Sequence, residues 1–133
     1  MVEGASEEAG RIDVVVADDD DDIRDLVEFK LTQAGYAVRA CGDGVEALEQ
    51  IRENPPRLAV LDVMMPGLSG LDVLRTIRAD EQLDGVRVVL LTARSRDSDV
   101  DAGFSVGADD YVSKPFSPRE LVHRVAGLLG RGA

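Results

Sequence analysis

Chemically capable side chains stand at the ends of short apolar runs in this sequence. Asp18 and Asp19 follow the run DVVVA, Asp62 ends LAVLD, Thr92 ends VRVVLLT, and Lys114 lies in DDYVSKP. In an open parallel α/β sheet the carboxyl ends of the strands meet at one crevice, where such folds bind ligands. Three carboxylates, a hydroxyl and an ammonium are therefore predicted to converge there.

The acidic members of this set predict a site for a hard divalent cation. Five aspartates follow one another at positions 18–22, and the last three are explained by the positive N-terminus of a following helix. Asp18 and Asp19 come before that helix, and Mg²⁺ binds one or two carboxylates together with waters and phosphate. Asp62 at the end of a buried strand costs desolvation free energy, which a neighbouring cation would offset.

Asp62 is also a candidate nucleophile, because a carboxylate can accept a phosphoryl group and form an aspartyl phosphate. The oxygens of a phosphoryl group in transfer carry negative charge that has to be neutralised. A cation, the hydroxyl of Thr92 and the ammonium of Lys114 would neutralise it. Each residue alone has an ordinary structural explanation, but their joint placement at four predicted strand ends favours phosphoryl transfer.

Hydrophobic periodicity predicts strands and helices in alternation. Near-continuous apolar runs, typical of strands buried on both faces of a parallel sheet, predict strands at Ile12–Ala17, Tyr36–Cys41, Leu58–Asp62, Val86–Thr92 and Asp109–Val112. Helices are predicted from Ile23 to a cap at Gly35, at Gly44–Glu53, around Leu71–Ile77, at Arg96–Val106, and after Ser117 as N-cap. Right-handed crossovers then give an α/β fold, a doubly wound five-stranded parallel sheet of (βα)5 type.

Composition argues against several other classes of function. The chain has 15 Lys and Arg against 26 Asp and Glu, a net charge of −11, so neither direct nucleic-acid binding nor adhesion to anionic membranes is expected. No apolar run approaches the roughly 20 residues of a membrane span. The single cysteine, Cys41, fits a reducing cytosol, so a cytoplasmic protein is expected. One domain is predicted over residues 11–130, between a disordered tail at 1–10 and a short tail at 131–133.

Together these motifs resemble the receiver domain of bacterial two-component response regulators, and the resemblance covers roughly Ile12 to Leu129. The matching segments are VVADDD, LAVLDVMMPGLSGLDVL, VVLLTAR and GADDYVSKPFSPREL, in the order of that family. The similarity is greatest to receivers of winged-helix transcriptional regulators. It implies the flavodoxin-like strand order 2-1-3-4-5 and a signalling domain, which catalyses only its own phosphorylation and slow autodephosphorylation.

By that resemblance Asp62 is the phosphoacceptor. The bound ion would be Mg²⁺, with Mn²⁺ as an alternative. Its ligands would be Asp62, Asp19, Asp18 acting partly through water, and the backbone carbonyl of Met64. The side chains of Met64 and Arg94 match positions that tune the lifetime of the phosphoryl group in this family.

The resemblance also assigns the residues around the phosphoryl group. Lys114 would pair with its oxygens, and the bond between Lys114 and Pro115 is expected to be cis. Thr92 and Tyr111 match the switch pair that links phosphorylation to the output face. That face is formed by the predicted fourth helix, the fifth strand and the last helix.

The partner implied by the resemblance is a histidine kinase or a histidine phosphotransfer protein. The only histidine, His123, lies in the last predicted helix, far from the crevice, so the phosphoryl donor has to be another protein. The final segment resembles the junction where winged-helix regulators continue into a second domain. The chain is therefore either a stand-alone receiver or a receiver that precedes an effector controlling transcription.

A homodimer is a further expectation from the resemblance, because those regulators dimerise through charged pairs on the output face. Asp109, Asp110, Glu120 and Arg124 fit that pattern. Val100 stands where the family has a basic residue in the fourth helix, so this set of pairs is incomplete.

Three other readings compete with this one. A haloacid-dehalogenase-type phosphatase would need a second acid two residues after Asp62, where this chain has Met64. A flavodoxin-like carrier would need a phosphate-binding Ser/Thr loop and flanking aromatics, but aromatic residues make up 4% of the chain. A pseudo-receiver would lack the chemical residues that are present here. Turnover of a phosphoester would favour the phosphatase, and a yellow flavin colour would favour the flavodoxin-like carrier.

Overall fold

The computed structural model describes residues 11–93 and 105–130. This part of the chain forms one five-stranded parallel sheet in the order β2-β1-β3-β4-β5, which confirms the predicted fold. The strands are β1 Val14–Ala17, β2 Val38–Cys41, β3 Leu58–Asp62, β4 Arg87–Ala93 and β5 Asp110–Lys114.

Strand boundaries differ from the predicted ones at the ends. β1 and β2 begin two residues later than predicted, because the carboxylate of Asp13 accepts the backbone N–H of Ala37 at 2.8 Å at the start of this pair. β5 runs on to Lys114, because its pairing with β4 continues to the register of Ala93 with Lys114. This extension places the lysine at the carboxyl edge of the sheet.

Helices α1 Asp21–Gln33, α2 Gly44–Glu53, α3 Gly70–Arg78 and α4 Pro118–Leu129 connect or follow these strands. Each begins at a side chain that accepts backbone N–H groups of the first turn, and these caps are Asp20, Asp43, Ser69 and Ser117. None of the described helices is long and apolar enough to cross a membrane. The predicted helix at 96–106 lies outside the described residues except for Ser105 and Val106, which are helical.

Strand alternation divides the core into two layers, one on each face of the sheet. Val15, Leu61 and Leu90 belong to the layer under α2 and α3. The other layer, under α1 and α4, contains the residues of opposite parity, Val14, Val16, Leu58, Val60, Val89 and Leu91. The predicted doubly wound sandwich is therefore present, and the side-chain parity at each strand end decides which face a functional residue joins.

Candidate phosphoacceptor site

Asp18, Asp19 and Asp62 meet at the carboxyl edge of β1 and β3, as the sequence predicts. One carboxylate oxygen from each lies within 4.8 Å of the others. Asp18 is 0% and Asp62 4% exposed, whereas Asp19 is exposed to solvent. Asp18 and Asp62 continue the parity of Val16 and Val60, so both follow the α1/α4 face of the sheet.

Lys114 brings a positive charge to these two buried carboxylates. Its Nζ lies 2.9 Å from Oδ2 of Asp18 and 3.3 Å from Oδ2 of Asp62. To reach β3 from β5 the side chain has to pass over β4, and its registered neighbour there is Ala93. A methyl group at that position leaves a passage for the lysine, although one ammonium cannot neutralise three carboxylates.

The charge imbalance is visible in the acid–base properties of the site. Burial, and then repulsion by Asp18, raises the pKa of Asp62 to about 6, although Lys114 and a backbone hydrogen bond from Met64 oppose the shift. Burial lowers the pKa of Lys114, but its interactions with Asp18 and Asp62 outweigh burial and raise that pKa overall. Among the residues that the structure describes, the site is therefore short of positive charge.

The donor set fits a hard divalent cation. Oδ2 of Asp18 is buried, and within the described residues its partner is the ammonium of Lys114 at 2.9 Å. The other oxygens are held in place, because Oδ1 of Asp18 accepts the N–H of Asp20 at 2.9 Å and Oδ1 of Asp62 accepts the N–H of Met64 at 3.2 Å. Oxygen-only donors with excess negative charge are typical of sites for Mg²⁺ and Mn²⁺.

The start of α3 fixes the backbone that carries Asp62. The N–H of Gly70 donates to the carbonyl of Val63 at 3.2 Å, and a Cβ added at Gly70 would lie 2.9 Å from the carbonyl carbon of Asp62. Ser69 and Asp72 close a capping box at the same helix end. Only a residue without a side chain allows this close approach, so Gly70 positions the loop that contains Met64.

Thr92 and Tyr111 lie on the same face of adjacent strands. Tyr111 is registered with Leu90 and packs against the α2/α3 layer, while Thr92 is registered with Ser113. Thr92 is 1% exposed and follows Leu90 by two residues, so the two side chains are diagonal neighbours on the α2/α3 face. Their coupling as a switch pair stays a prediction.

The remaining predicted residues fall in three groups. The peptide bond between Lys114 and Pro115 is cis. Met64 is 54% exposed beside Asp62, and its carbonyl stays a predicted ligand. His123 is exposed on α4, away from the acidic cluster, and Arg94 lies outside the described residues.

The charged residues predicted for a dimer are paired within the chain. Arg124 contacts Asp110 at 2.9 Å and Glu120 at 3.2 Å. Asp109 contacts Arg78 at 3.1 Å, and the same carboxylate oxygen also accepts the N–H of Val88 at 2.7 Å. Asp109 therefore ties the start of β5 to its neighbours, which its sequence position did not indicate.

Sequence reasoning missed two contributors to the site. Ala93 matters because it is registered with Lys114, and this could be found only from the exact pairing of β4 with β5. Arg24 on α1 donates to the backbone carbonyl of Asp18 at 3.0 Å. Helical periodicity does not predict this contact, because Arg24 is six residues from Asp18 and the chain turns between them.

Comparison with known proteins gives the family. Residues 14–126 match the response regulator receiver domain. The DNA-binding response regulator MtrA of Mycobacterium tuberculosis (strain H37Rv) is 44% identical over 118 residues, which cover 89% of this chain and 50% of that protein. The transcriptional regulatory protein AfsQ1 of Streptomyces coelicolor is 44% identical over 119 residues, covering 90% of this chain and 52% of that protein. The chain thus spans about half the length of these curated relatives.

Solved structures agree with the sequence relatives. A putative response regulator from Chloroflexus aurantiacus superposes with a TM-score of 0.84 at 39% identity, covering 91% of this chain and 99% of that one. The BeF3-activated DrrB receiver domain gives 0.80 at 40% identity, with 91% and 99% covered. The chain therefore belongs to the receiver domains of response regulators in two-component signalling systems, and its homologues include regulators of the OmpR/PhoB type.

Proposed function

We propose that this receiver accepts a phosphoryl group on Asp62 from the phosphohistidine of a histidine kinase or a histidine phosphotransfer protein. The observation that carries the proposal is the sharing of one ammonium by two buried carboxylates, with Asp19 exposed beside them. Within the described residues, this arrangement is short of positive charge before phosphorylation, and it supports a candidate nucleophile next to oxygens that suit a divalent cation. Because DNA-binding regulators are among its relatives, the proposed output is control of transcription in the cytoplasm.

The chain's own residues account for the transfer step. A carboxylate oxygen of Asp62 attacks the phosphorus of the phosphohistidine, the P–N bond breaks, and its electron pair returns to the imidazole. With a pKa of about 6, Asp62 is mostly ionised at neutral pH and so keeps its nucleophilic form. When bound, Mg²⁺ or Mn²⁺ would neutralise phosphoryl oxygens, and Lys114 would turn from the bare carboxylates to the same group.

The phosphoryl group would then act on Thr92 and Tyr111. New acceptor oxygens at Asp62 attract the hydroxyl of Thr92, which lies at the end of the neighbouring strand. Movement of Thr92 frees space on the α2/α3 face, where the ring of Tyr111 is a diagonal neighbour. Phosphorylation thereby biases an existing equilibrium of the output face rather than creating a new conformation.

The site favours neither the haloacid-dehalogenase-type phosphatase nor the flavodoxin-like carrier. A phosphatase that turns over external phosphoesters would need an acid where the exposed side chain of Met64 stands. A flavin phosphate would face the carboxylates of Asp18, Asp19 and Asp62. We therefore limit the chemistry to phosphorylation of the chain itself and slow hydrolysis of its aspartyl phosphate. A homodimer through the output face is retained as a proposal.

The experiment is phosphorylation by acetyl phosphate, followed by intact mass spectrometry. One added phosphoryl group is expected with Mg²⁺ or Mn²⁺ and none with EDTA. Asp62→Asn should abolish the addition, whereas the matched control Asp84→Asn, at an exposed site near the opposite edge, should leave it unchanged. Equal labelling of Asp62→Asn and the parent protein would overturn the assignment.

A further inference from the structure

The amino-terminal edge of the sheet, opposite the acidic site, carries an open cavity of about 370 Å³ lined by three arginines, Arg11, Arg57 and Arg87. We call it the arginine cavity. Arg57 directly precedes β3 and Arg87 begins β4, and the N–H of Arg87 donates to the carbonyl of Arg57 at 3.0 Å. Parallel pairing therefore brings both cationic residues to the same edge of the sheet, where Arg87 is registered with Leu58, the residue after Arg57. None of the described residues that line it is acidic, although the whole chain has a net charge of −11.

The three guanidinium groups are not equivalent. Arg57 donates to the carbonyl of Leu129 at 3.0 Å and lies 3.8 Å from Oδ1 of Asp13, so it is held in place and partly neutralised. The side chains of Arg11 and Arg87 are exposed, and neither guanidinium makes a hydrogen bond or an ion pair with the residues at 11–93 and 105–130. Two positive charges thus face one cavity without a counter-charge from the described chain.

We propose that the arginine cavity binds a small organic anion that carries at least two negative groups, either phosphates or carboxylates. The planar guanidinium presents paired N–H donors whose spacing matches the oxygens of both groups. Pro55, Pro56 and Leu128 also line the cavity and give the ligand's carbon skeleton an apolar wall. The volume lies in the range of small-ligand pockets, about 300–1,000 Å³.

Charge selects the ligand class. A single negative group could pair with Arg11 or Arg87 but would leave the other guanidinium uncompensated. The acidic surface elsewhere repels anions, so the local pair has to overcome an unfavourable long-range field. A multiply charged anion is favoured because it can pair with both guanidinium groups at once, and its binding should weaken as salt screens these contacts.

The arginine cavity is separate from the acidic site. β3 runs from one to the other, and its five residues span roughly 16 Å at about 3.3 Å per residue. Ligand binding there needs neither Asp62 nor a divalent cation. The inference can therefore fail while the proposed phosphorylation stands, and the reverse is also true.

The test is an amide NMR titration of the whole chain in EDTA with pyrophosphate, with citrate, and with potassium chloride at matched ionic strength. Saturable shifts are expected at Gly85, Arg87 and Leu129 with at least one of the two multivalent anions, and none with chloride. Pyrophosphate alone would identify a phosphate ligand, and citrate alone a carboxylate ligand. Arg11→Gln combined with Arg87→Gln should weaken binding about tenfold or more, as expected when two charge-assisted contacts are lost.

Arg52→Gln and Arg119→Gln are the matched controls, because both arginines are exposed and neither lines the cavity. Their titrations should match that of the parent protein. Non-saturable shifts, equal shifts with chloride, or equal weakening by Arg52→Gln would each overturn the proposal. An intact amide spectrum of the double variant would show that it is folded, so that unfolding does not account for its loss of binding.

Discussion

At the scale of single residues, the site is a problem of charge balance. Asp18 and Asp62 are buried and share Lys114, while Asp19 adds a third negative charge at the surface. Removing one partner of a matched buried pair is normally destabilising. Here two carboxylates compete for one ammonium, so removal of one leaves a matched pair.

Asp18→Asn should therefore raise stability without divalent cations, by about 1–2 kcal/mol. Its amide oxygen can still accept the N–H of Asp20. In saturating Mg²⁺ the parent protein should be more stable than Asp18→Asn, because it binds the ion more tightly and gains more stability from it. Chemical denaturation with EDTA and with Mg²⁺ measures both differences.

Asp19→Asn serves as the exposed counterpart. It should lower Mg²⁺ affinity while changing the free energy of unfolding by less than about 0.5 kcal/mol, as is usual for exposed positions. Unchanged Mg²⁺ binding in this variant would remove Asp19 from the proposed ligand set.

At the scale of elements, β4 and α3 set the positions that the functional side chains need. Ala93 lies at the register of Lys114, where β4 separates the lysine from Asp62. Gly70 brings α3 against the backbone of Asp62. Both depend on small size rather than on chemical reactivity.

Ala93→Leu should slow phosphorylation of Asp62 by acetyl phosphate, because a larger side chain obstructs the path of Lys114 over β4. Ala93→Ser is the matched control, since its side chain is nearly as small. Rates of phosphorylation in Mg²⁺ measure the effect. If Ala93→Leu reacts as fast as Ala93→Ser, the lysine reaches the site by another path.

Gly70→Ala should destabilise the fold by about 1–3 kcal/mol, as overpacking usually does. Gly127→Ala in α4 should instead stabilise the fold, because an added Cβ there meets nothing within 4 Å. Alanine is also the better helix former by about 1 kcal/mol. Urea denaturation of both variants gives the two signs. A stable Gly70→Ala protein would mean that the loop after β3 can yield.

The elements could be predicted where local chemistry marks their limits. The bounds of α2 are confirmed because Gly44 begins it and Asn54 with Pro55 ends it. β3 is confirmed because its apolar run stops at Asp62. The extension of β5 to Lys114 and the role of Ala93 depend on pairing between strands distant in sequence, which periodicity does not report.

At the scale of the whole molecule, the parallel sheet separates two charge environments. Acidic groups gather at the carboxyl ends of the strands and arginines at the amino ends of β3 and β4. Sequence motifs predicted the first cluster, because each member follows an apolar run. The second was not predicted, because Arg11, Arg57 and Arg87 belong to no motif and meet only after the strands pair.

Long-range coupling is the property that a signalling domain needs at this scale. Beryllofluoride with Mg²⁺, a mimic of the phosphoryl group, should shift amide resonances near Tyr111 as well as near Asp62. Thr92→Ala should retain phosphorylation but lose most of the shift near Tyr111, because the hydroxyl that follows the phosphoryl group is gone. Thr76→Ala is the control, because the Thr76 hydroxyl donates to the carbonyl of Asp72 within α3. An undiminished response in Thr92→Ala would show that coupling takes another route.

The most direct test of the account is to locate the acyl phosphate chemically. Borohydride reduces an aspartyl phosphate to the alcohol, so the phosphoacceptor becomes homoserine and can be identified by peptide sequencing in a mass spectrometer. After treatment with acetyl phosphate and Mg²⁺ we expect homoserine at position 62, and at no other position. Homoserine at position 18 or 19, or a phosphorylated protein that yields no homoserine, would contradict the account.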